Sequence, residues 1–224
     1  MKKILPFVAM GAISISTMNV QAGIFTLGTD IEFVGSSAGL NLAEGQIESD
    51  TKIRVYSEQL NYTLTTNINV DDTSIGSIGN SVPGTISTGT VVDSYLVHFD
   101  KVGNDSTPVS LGGNVLSDLG VEILGIIFSA SGLNASDSEL GLAASYETSS
   151  NRGLEFTNNQ DSYGLGKIGG ILRNLALNDL EVSTNIDEIR VITAAAAPVP
   201  VPAAVWLLGS ALLGLTGISR RKKS

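Results

Sequence analysis

From Gly23 to Ala197 the chain is a series of short apolar runs, each cut off by Gly, Ser, Thr, Asn or Asp. That punctuation belongs to an all-β fold. Two stretches show how the strands should be used. Asn61 to Val70 alternates cleanly: Tyr62, Leu64, Thr66, Ile68 and Val70 share one face, and Thr63, Thr65, Asn67 and Asn69 the other. Such a strand buries one side and wets the other. Thr90 to Phe99 is apolar on both sides, with Val91, Tyr95, Val97 and Phe99 opposite Val92, Leu96 and His98. A strand of that kind lies between two layers.

Further strands are expected over Ile24–Leu27, Ile31–Val34, Lys52–Tyr56, Val121–Phe128, Arg152–Phe156, Ile171–Leu177, Leu180–Thr184 and Glu188–Thr193. In the last, Ile189 and Val191 oppose Glu188, Arg190 and Ile192. Residues 35–50, 71–89 and 100–108 read as turn-rich connections. Ser136-Asp137-Ser138-Glu139 reads as a helix start, with Ser136 as N-cap, Glu139 as its capping-box partner and one or two turns through Ala144. Strand number and spacing favour a β-sandwich of jelly-roll-like type.

The two ends are of another kind. Met1 to Ala22 has the form of a secretory signal peptide: Lys2 and Lys3, an apolar stretch, then Val20-Gln21-Ala22 as a small-x-small cleavage site. Cleavage after Ala22 by signal peptidase, following Sec export, would make Gly23 the mature start. At the other end Pro198, Pro200 and Pro202 fix φ and lack N–H groups, so the segment should be extended and stiff. Ala203 to Ser219 then carries no charge. As a helix it would be about 25 Å long, against a hydrocarbon core of about 30 Å. Trp206 falls near one end, where an indole suits the headgroups, and Arg220, Arg221, Lys222 and Lys223 at the other, where they should stay cytoplasmic. The organisation expected is therefore 1–22 signal peptide, 23–197 extracytoplasmic β-domain and 198–224 carboxy-terminal signal with a transmembrane helix.

Val199-Pro200-Val201-Pro202-Ala203, the apolar run after it and Arg220-Arg221-Lys222-Lys223 together resemble a PEP-CTERM sorting signal of the VPLPA or VPVPA type. The family's usual Pro-Glu-Pro is replaced here by Pro200-Val201-Pro202. The resemblance covers the last 27 residues or so. It implies export in a Gram-negative bacterium, transient anchoring in the inner membrane, recognition by an exosortase-type membrane protease, and transfer to the cell surface or extracellular matrix. It also implies association with exopolysaccharide and biofilm. Val91–Asp100, Glu122–Ile127, Arg152–Phe156 and Asp187–Val191 are in addition similar to a recurring ectodomain of such proteins. That likeness brings no activity with it.

Charge narrows the partners. Between the two ends lie only seven Lys and Arg but all 22 Asp and Glu, a net charge of −15. So acidic a domain repels nucleic acid and anionic headgroups. It suits Ca²⁺, cationic surfaces, or neutral and basic polysaccharide. The chain has no cysteine, which excludes disulfides, thiolate zinc sites and thiol nucleophiles.

No catalytic residue is assigned. His98 is the only histidine, so any Ser-His-Asp triad must use it, yet it sits in an apolar strand. Glu122, Glu147 and Glu155 are the carboxylates with apolar neighbours that glycoside hydrolysis would call on. No metal ligand set is assigned and no cofactor is expected. A structural Ca²⁺ is the one allowance, on loop acids such as Asp71 with Asp72, Asp100 with Asp105, or Asp137 with Glu139. Gly164-Leu165-Gly166-Lys167-Ile168-Gly169-Gly170 reads as a loop and not as a nucleotide-binding turn. Tyr146 and Tyr163, in loop-like stretches, are the aromatics placed to meet a sugar face. The expectation is a non-enzymatic exported protein with a structural or interaction role. A carbohydrate-binding module is the alternative, and a secreted hydrolase stands behind it.

Overall fold

Two larger sheets organise residues 23–77, 79–117, 121–156 and 161–195, the part of the chain described in a computed structural model. These residues belong to one unit, Ala22–Ala197. In chain order the strands are β1 (Ile24–Leu27), β2 (Ile31–Ser36), β3 (Asn41–Leu42), β4 (Ile53–Ser57), β5 (Tyr62–Thr63), β6 (Ile68–Val70), β7 (Gly76–Ser77) and β8 (Gly84–Ile86). There follow β9 (Val91–Phe99), β10 (Val109–Ser117), β11 (Ile123–Ile127), helix α1 (Ala130–Leu140), β12 (Ser145–Tyr146), β13 (Ser162–Ile168), β14 (Ile171–Val182) and β15 (Asp187–Ala194). The fold is all-β with a single short helix among the described residues.

The first sheet runs β1-β10-β14-β13-β7, antiparallel throughout. The second runs β11-β15-β9-β4-β2, with β5 also beside β9, and only its β2–β4 pair is parallel. Two small two-stranded sheets, β3 with β12 and β6 with β8, complete the set.

β9 behaves as a strand apolar on both sides must. Tyr95, Val97 and Phe99 enter a core shared with Val115 of β10 and Leu165, Leu175 and Leu177 of β13 and β14. Val92 and Leu96 enter a second core with Leu133 and Leu140 of α1 and Ile68, Val70 and Ile86 of the β6–β8 pair. β15 is divided in the same way: Ile189 and Val191 face the first core, Ile192 the second. The second sheet is thus covered on both faces, and the polar residues of β9 and β15 are buried with it.

Several expectations are corrected. Asn61–Val70 is not one strand; Asn61 turns at φ 52°, and the chain re-forms as β5 and β6. The amides of Thr65 and Thr66, which a ladder would need, are taken by the Glu139 carboxylate. A side-chain acceptor has outcompeted the strand. Arg152–Phe156 forms no strand and makes only an isolated bridge from Arg152 to Ile186. The helix begins about two turns before its expected start. Ser129 is the N-cap, accepting from Gly132 N, and the Asp71 carboxylate receives the amides of Phe128 and Ser129 at 2.8 Å. Ser136 lies inside the helix and turns its hydroxyl back to the carbonyls of Gly132 and Leu133.

Ile171–Leu177 and Leu180–Thr184 merge into the single strand β14. β10 and β13 were not expected at all. Gly164–Gly170 is the end of β13 plus a two-residue hairpin turn, Gly169-Gly170, with both φ values positive and Ile168 opposite Ile171. That is the turn two adjacent glycines favour.

The signal peptide to Ala22, the motif Val199–Ala203, the helix Ala203–Ser219 and the basic residues Arg220–Lys223 lie outside the described residues. Among the described residues no helix is long and apolar enough to cross a membrane.

Candidate functional site

Two sets of charged side chains stand out, and they differ in what they can do. The first is sealed. Arg190 points from β15 toward α1 and meets Glu58, just past β4, through Nε–Oε2 at 2.7 Å and Nη2–Oε1 at 2.8 Å. It also reaches Asp137 Oδ1 at 2.9 Å. Arg152 binds the other side of Asp137 and, through Nε, Glu188. Glu188 Oε1 pairs with Nδ1 of His98 at 2.9 Å. Tyr146 donates its hydroxyl to Glu58 Oε1 at 2.6 Å, and both guanidinium groups lie over its ring, at 5.2 and 5.7 Å from the centroid.

Burial would weaken the Arg190 charge, but Glu58 and Asp137 outweigh it and hold the pKa above its ordinary value. Burial and then the Glu58 carboxylate push the Tyr146 phenol upward, so it stays protonated and donates. Acids and guanidiniums thus satisfy one another in a low-dielectric interior. This network fixes β4, β9, β15 and α1 relative to one another.

The second set is open to solvent on one side. The loop after β3 and the loop after β9 are laced together: Gly45 N donates to Asp100 Oδ2 at 2.7 Å, Gly103 N to Glu48 Oε1 at 2.8 Å, and Asn104 Nδ2 to Glu44 Oε1 at 3.0 Å. With Glu147 and the β14–β15 turn, Ser183–Asn185, they line a cleft of about 310 Å³. Its lining carries Glu44, Glu48, Asp100 and Glu147 against the single cation Lys101, whose Nζ is spent on Asp105 at 2.8 Å. Burial pushes the Asp100 carboxyl up to about 6, opposed by the Gly45 amide and assisted by Glu48 and Glu44.

Asn185 links this cleft to a deeper cluster by donating to Glu155 Oε1. There Glu155, Asp161 and Asp187 bring carboxylate oxygens within 4.8 Å of one another. The bridge from Arg152 to Ile186 and the bond from Ile186 N to Asn151 O hold the 151–156 segment against the start of β15. Asp161 is anchored by the amides of Glu155 and Glu181. Asp187 opens β15, opposite Phe99. Burial raises the pKa of all three, most strongly that of Asp187, where Asp161 and Glu155 add to it.

The residues singled out in the sequence fall differently. His98 is buried and bound to Glu188, so it has no path to a substrate. Glu147 caps its own loop, and the Ser149 amide helps hold its pKa low, which suits a loop anchor better than a general acid. Glu155 does approach two other carboxylates, but Asp161 and Asp187 are shut off from solvent, and a sugar cannot reach between them.

The acid pairs suggested for Ca²⁺ are already engaged. Asp71 and Asp72 receive amide and hydroxyl donors, Asp105 binds Lys101, Asp137 binds two arginines, and Glu139 binds Thr65 and Thr66. The reading of Tyr146 and Tyr163 as exposed loop tyrosines is corrected. Tyr163 lies in β13 at 0% exposure with its hydroxyl on Asp72 Oδ2, and Tyr146 is half-buried under the two guanidiniums. Tyr163 offers no ring face to solvent.

Sequence reasoning missed the Glu155–Asp161–Asp187 cluster because it is assembled from three separate segments. The available signal was faint: acids at both ends of the 155–161 stretch and at the head of the last strand. No protein-family model matches the chain, and neither the curated proteins nor the solved structures contain a match to it.

Proposed function

We propose that this chain is an exported, surface-sorted, non-enzymatic protein with a structural or interaction role in an exopolysaccharide or biofilm matrix. Its middle is a β-sandwich domain of jelly-roll-like type, carried to the surface by its two ends. The observation that carries this reading is the succession of three sequence elements: Val199-Pro200-Val201-Pro202-Ala203, then an uncharged stretch, then Arg220-Arg221-Lys222-Lys223. The stiff proline spacer presents a recognition segment to an exosortase-type membrane protease, and the basic end holds the helix until cleavage.

What supports the non-enzymatic part is how the reactive side chains are used. The one histidine, Arg152 and Arg190, and the acids Glu58, Asp137 and Glu188 are locked into one Arg190–Glu58–Asp137–Arg152–Glu188 network. The test is a Pro200→Ala/Pro202→Ala variant in the producing cell. Retention of that variant in the inner membrane, with wild-type protein at the surface, is the expected result. Equal delivery of both to the surface contradicts the reading.

A second reading, a carbohydrate-binding module, is favoured by the cleft alone. Its Asn104, Asn185, Glu44 and Glu147 side chains are of the kind that hydrogen-bond sugar hydroxyls. Glycan capture lost in Asn104→Ala and Asn185→Ala variants supports it, and a flat response across neutral, basic and acidic polysaccharides removes it.

A further inference from the structure

The deeper cluster has the spacing of a cation site. Ca²⁺ lies about 2.3–2.6 Å from each oxygen ligand, so oxygens on one ion stand no more than about 5 Å apart. The oxygens of Glu155, Asp161 and Asp187 all lie within 4.8 Å of one another.

Asp187 provides the independent observation. Its side chain is completely buried, and neither carboxylate oxygen meets an N–H or alcohol donor; it faces the Asp161 carboxyl instead. The amides nearby are used elsewhere: Glu155 N and Glu181 N both go to Asp161. The charged groups acting most strongly on Asp187 are Asp161, Glu155 and Glu181, all of them acids. A folded chain does not keep a bare carboxylate among other carboxylates without a positive partner or a proton.

We propose that Glu155, Asp161 and Asp187 bind a divalent cation, and that the cation is Ca²⁺. The donors are all carboxylate oxygens, with no imidazole or thiolate to select zinc or copper. Ca²⁺ accepts irregular carboxylate sets, mono- or bidentate, whereas Mg²⁺ demands near-ideal octahedral geometry. The adjoining cleft adds four acids, which concentrate cations at its mouth. The ion joins the 151–156 segment, the residue preceding β13 and the first residue of β15. In a chain without cysteine it takes the place of a covalent cross-link. The inference goes beyond the sorting reading and does not depend on it.

The test uses the full-length chain, purified in mild detergent, stripped with EDTA and dialysed. Thermal unfolding is followed by circular dichroism while CaCl₂ is raised to about 10 mM at constant ionic strength, with MgCl₂ in parallel. Extracellular Ca²⁺ modules have Kd values on the order of 10⁻⁴ to 10⁻³ M. For a Kd of about 10⁻⁴ M the midpoint should rise by about 5 °C or more, and by less with Mg²⁺.

Asp187→Asn should abolish the rise while keeping the far-ultraviolet spectrum, and Glu48→Gln, in the cleft, should leave the rise intact. If Asp187→Asn does not fold, Glu155→Gln carries the same test. No Ca²⁺-dependent rise in the wild type overturns the proposal and means that Asp161 and Asp187 share a proton instead. A rise that survives Asp187→Asn and disappears in Glu48→Gln also overturns it, by placing the ion in the cleft.

Discussion

Arg190 and Glu58 are 132 residues apart in the chain and form a two-point ion pair, Nε–Oε2 at 2.7 Å and Nη2–Oε1 at 2.8 Å, with neither side chain exposed. The Glu58 carboxylate also receives the hydroxyls of Ser94 and Tyr146. Four donors on one buried acid mean that the second core closes around a saturated polar centre and not around apolar contacts alone.

Glu58→Gln should therefore cost about 3–5 kcal/mol, because it replaces the two-point anionic partner of the buried Arg190 by a neutral amide and leaves it only Asp137, which Arg152 also uses. Urea unfolding followed by circular dichroism measures the loss. The double variant Glu58→Leu/Arg190→Met should lose less than the sum of the two single variants, since no charge is then stranded. Additive losses would mean that the pair does not act as a unit.

Asp100 makes the fold more stable in mild acid than at neutral pH. Its unfolded carboxyl titrates near 3.8 and the folded one at about 6, raised by burial and by Glu48 and Glu44 against the Gly45 amide and His98. Between those values the folded state holds a proton that the unfolded state has lost. Its contribution is therefore fully favourable below pH 3.8 and is lost as pH rises through 6. Asp100→Asn should stabilise the protein by about 2 kcal/mol at pH 7.5 and by much less at pH 4. Unfolding free energies of both proteins at the two pH values decide it.

Gly153 and Gly169 both have positive φ, 101° and 66°. Only Gly153 is also enclosed: a Cβ there would meet the carbonyl oxygen of Phe128 at 2.3 Å, while at Gly169 nothing lies within 4 Å. Gly169→Ala should cost about 1 kcal/mol for its left-handed backbone alone. Gly153→Ala should cost more than twice that, because Phe128 O belongs to the backbone and cannot swing aside. Equal melting points for the two variants would contradict the close approach.

Tyr163→Phe should destabilise the domain by about 1–3 kcal/mol, since the lost hydroxyl leaves Asp72 Oδ2 buried without its donor. No glycan affinity should change with it. A selective loss of glycan binding at unchanged stability would return Tyr163 to the surface.

The sequence carried the all-β class because punctuation by turn residues is a local signal. It carried the two-faced burial of β9 and β15 because side chains alternate strictly along a strand. It misled at Asn61–Val70, where the alternation was real but the Glu139 side chain, far along the chain, claimed the amides of Thr65 and Thr66. β13 was hidden because Gly164 and Gly166 weaken any strand pattern, although Gly169-Gly170 marked its turn. Glu188 and Arg190 could be read as sharing a face, but not that this face would be buried among ions. The acids chosen for Ca²⁺ were neighbours in sequence, and amides, hydroxyls, a lysine and two arginines, many of them far along the chain, already occupy them. The cluster with an unpartnered carboxylate needed the β14–β15 turn to bring Asp187 to Glu155 and Asp161.

The most direct measurement is the intact mass of the protein recovered from the cell surface and medium of its producing organism. The account predicts a chain that begins at Gly23 and has lost everything after the Pro200-Val201-Pro202 motif. A mass that retains the stretch through Arg220–Lys223 would make the tail a permanent membrane anchor and would contradict release into the matrix.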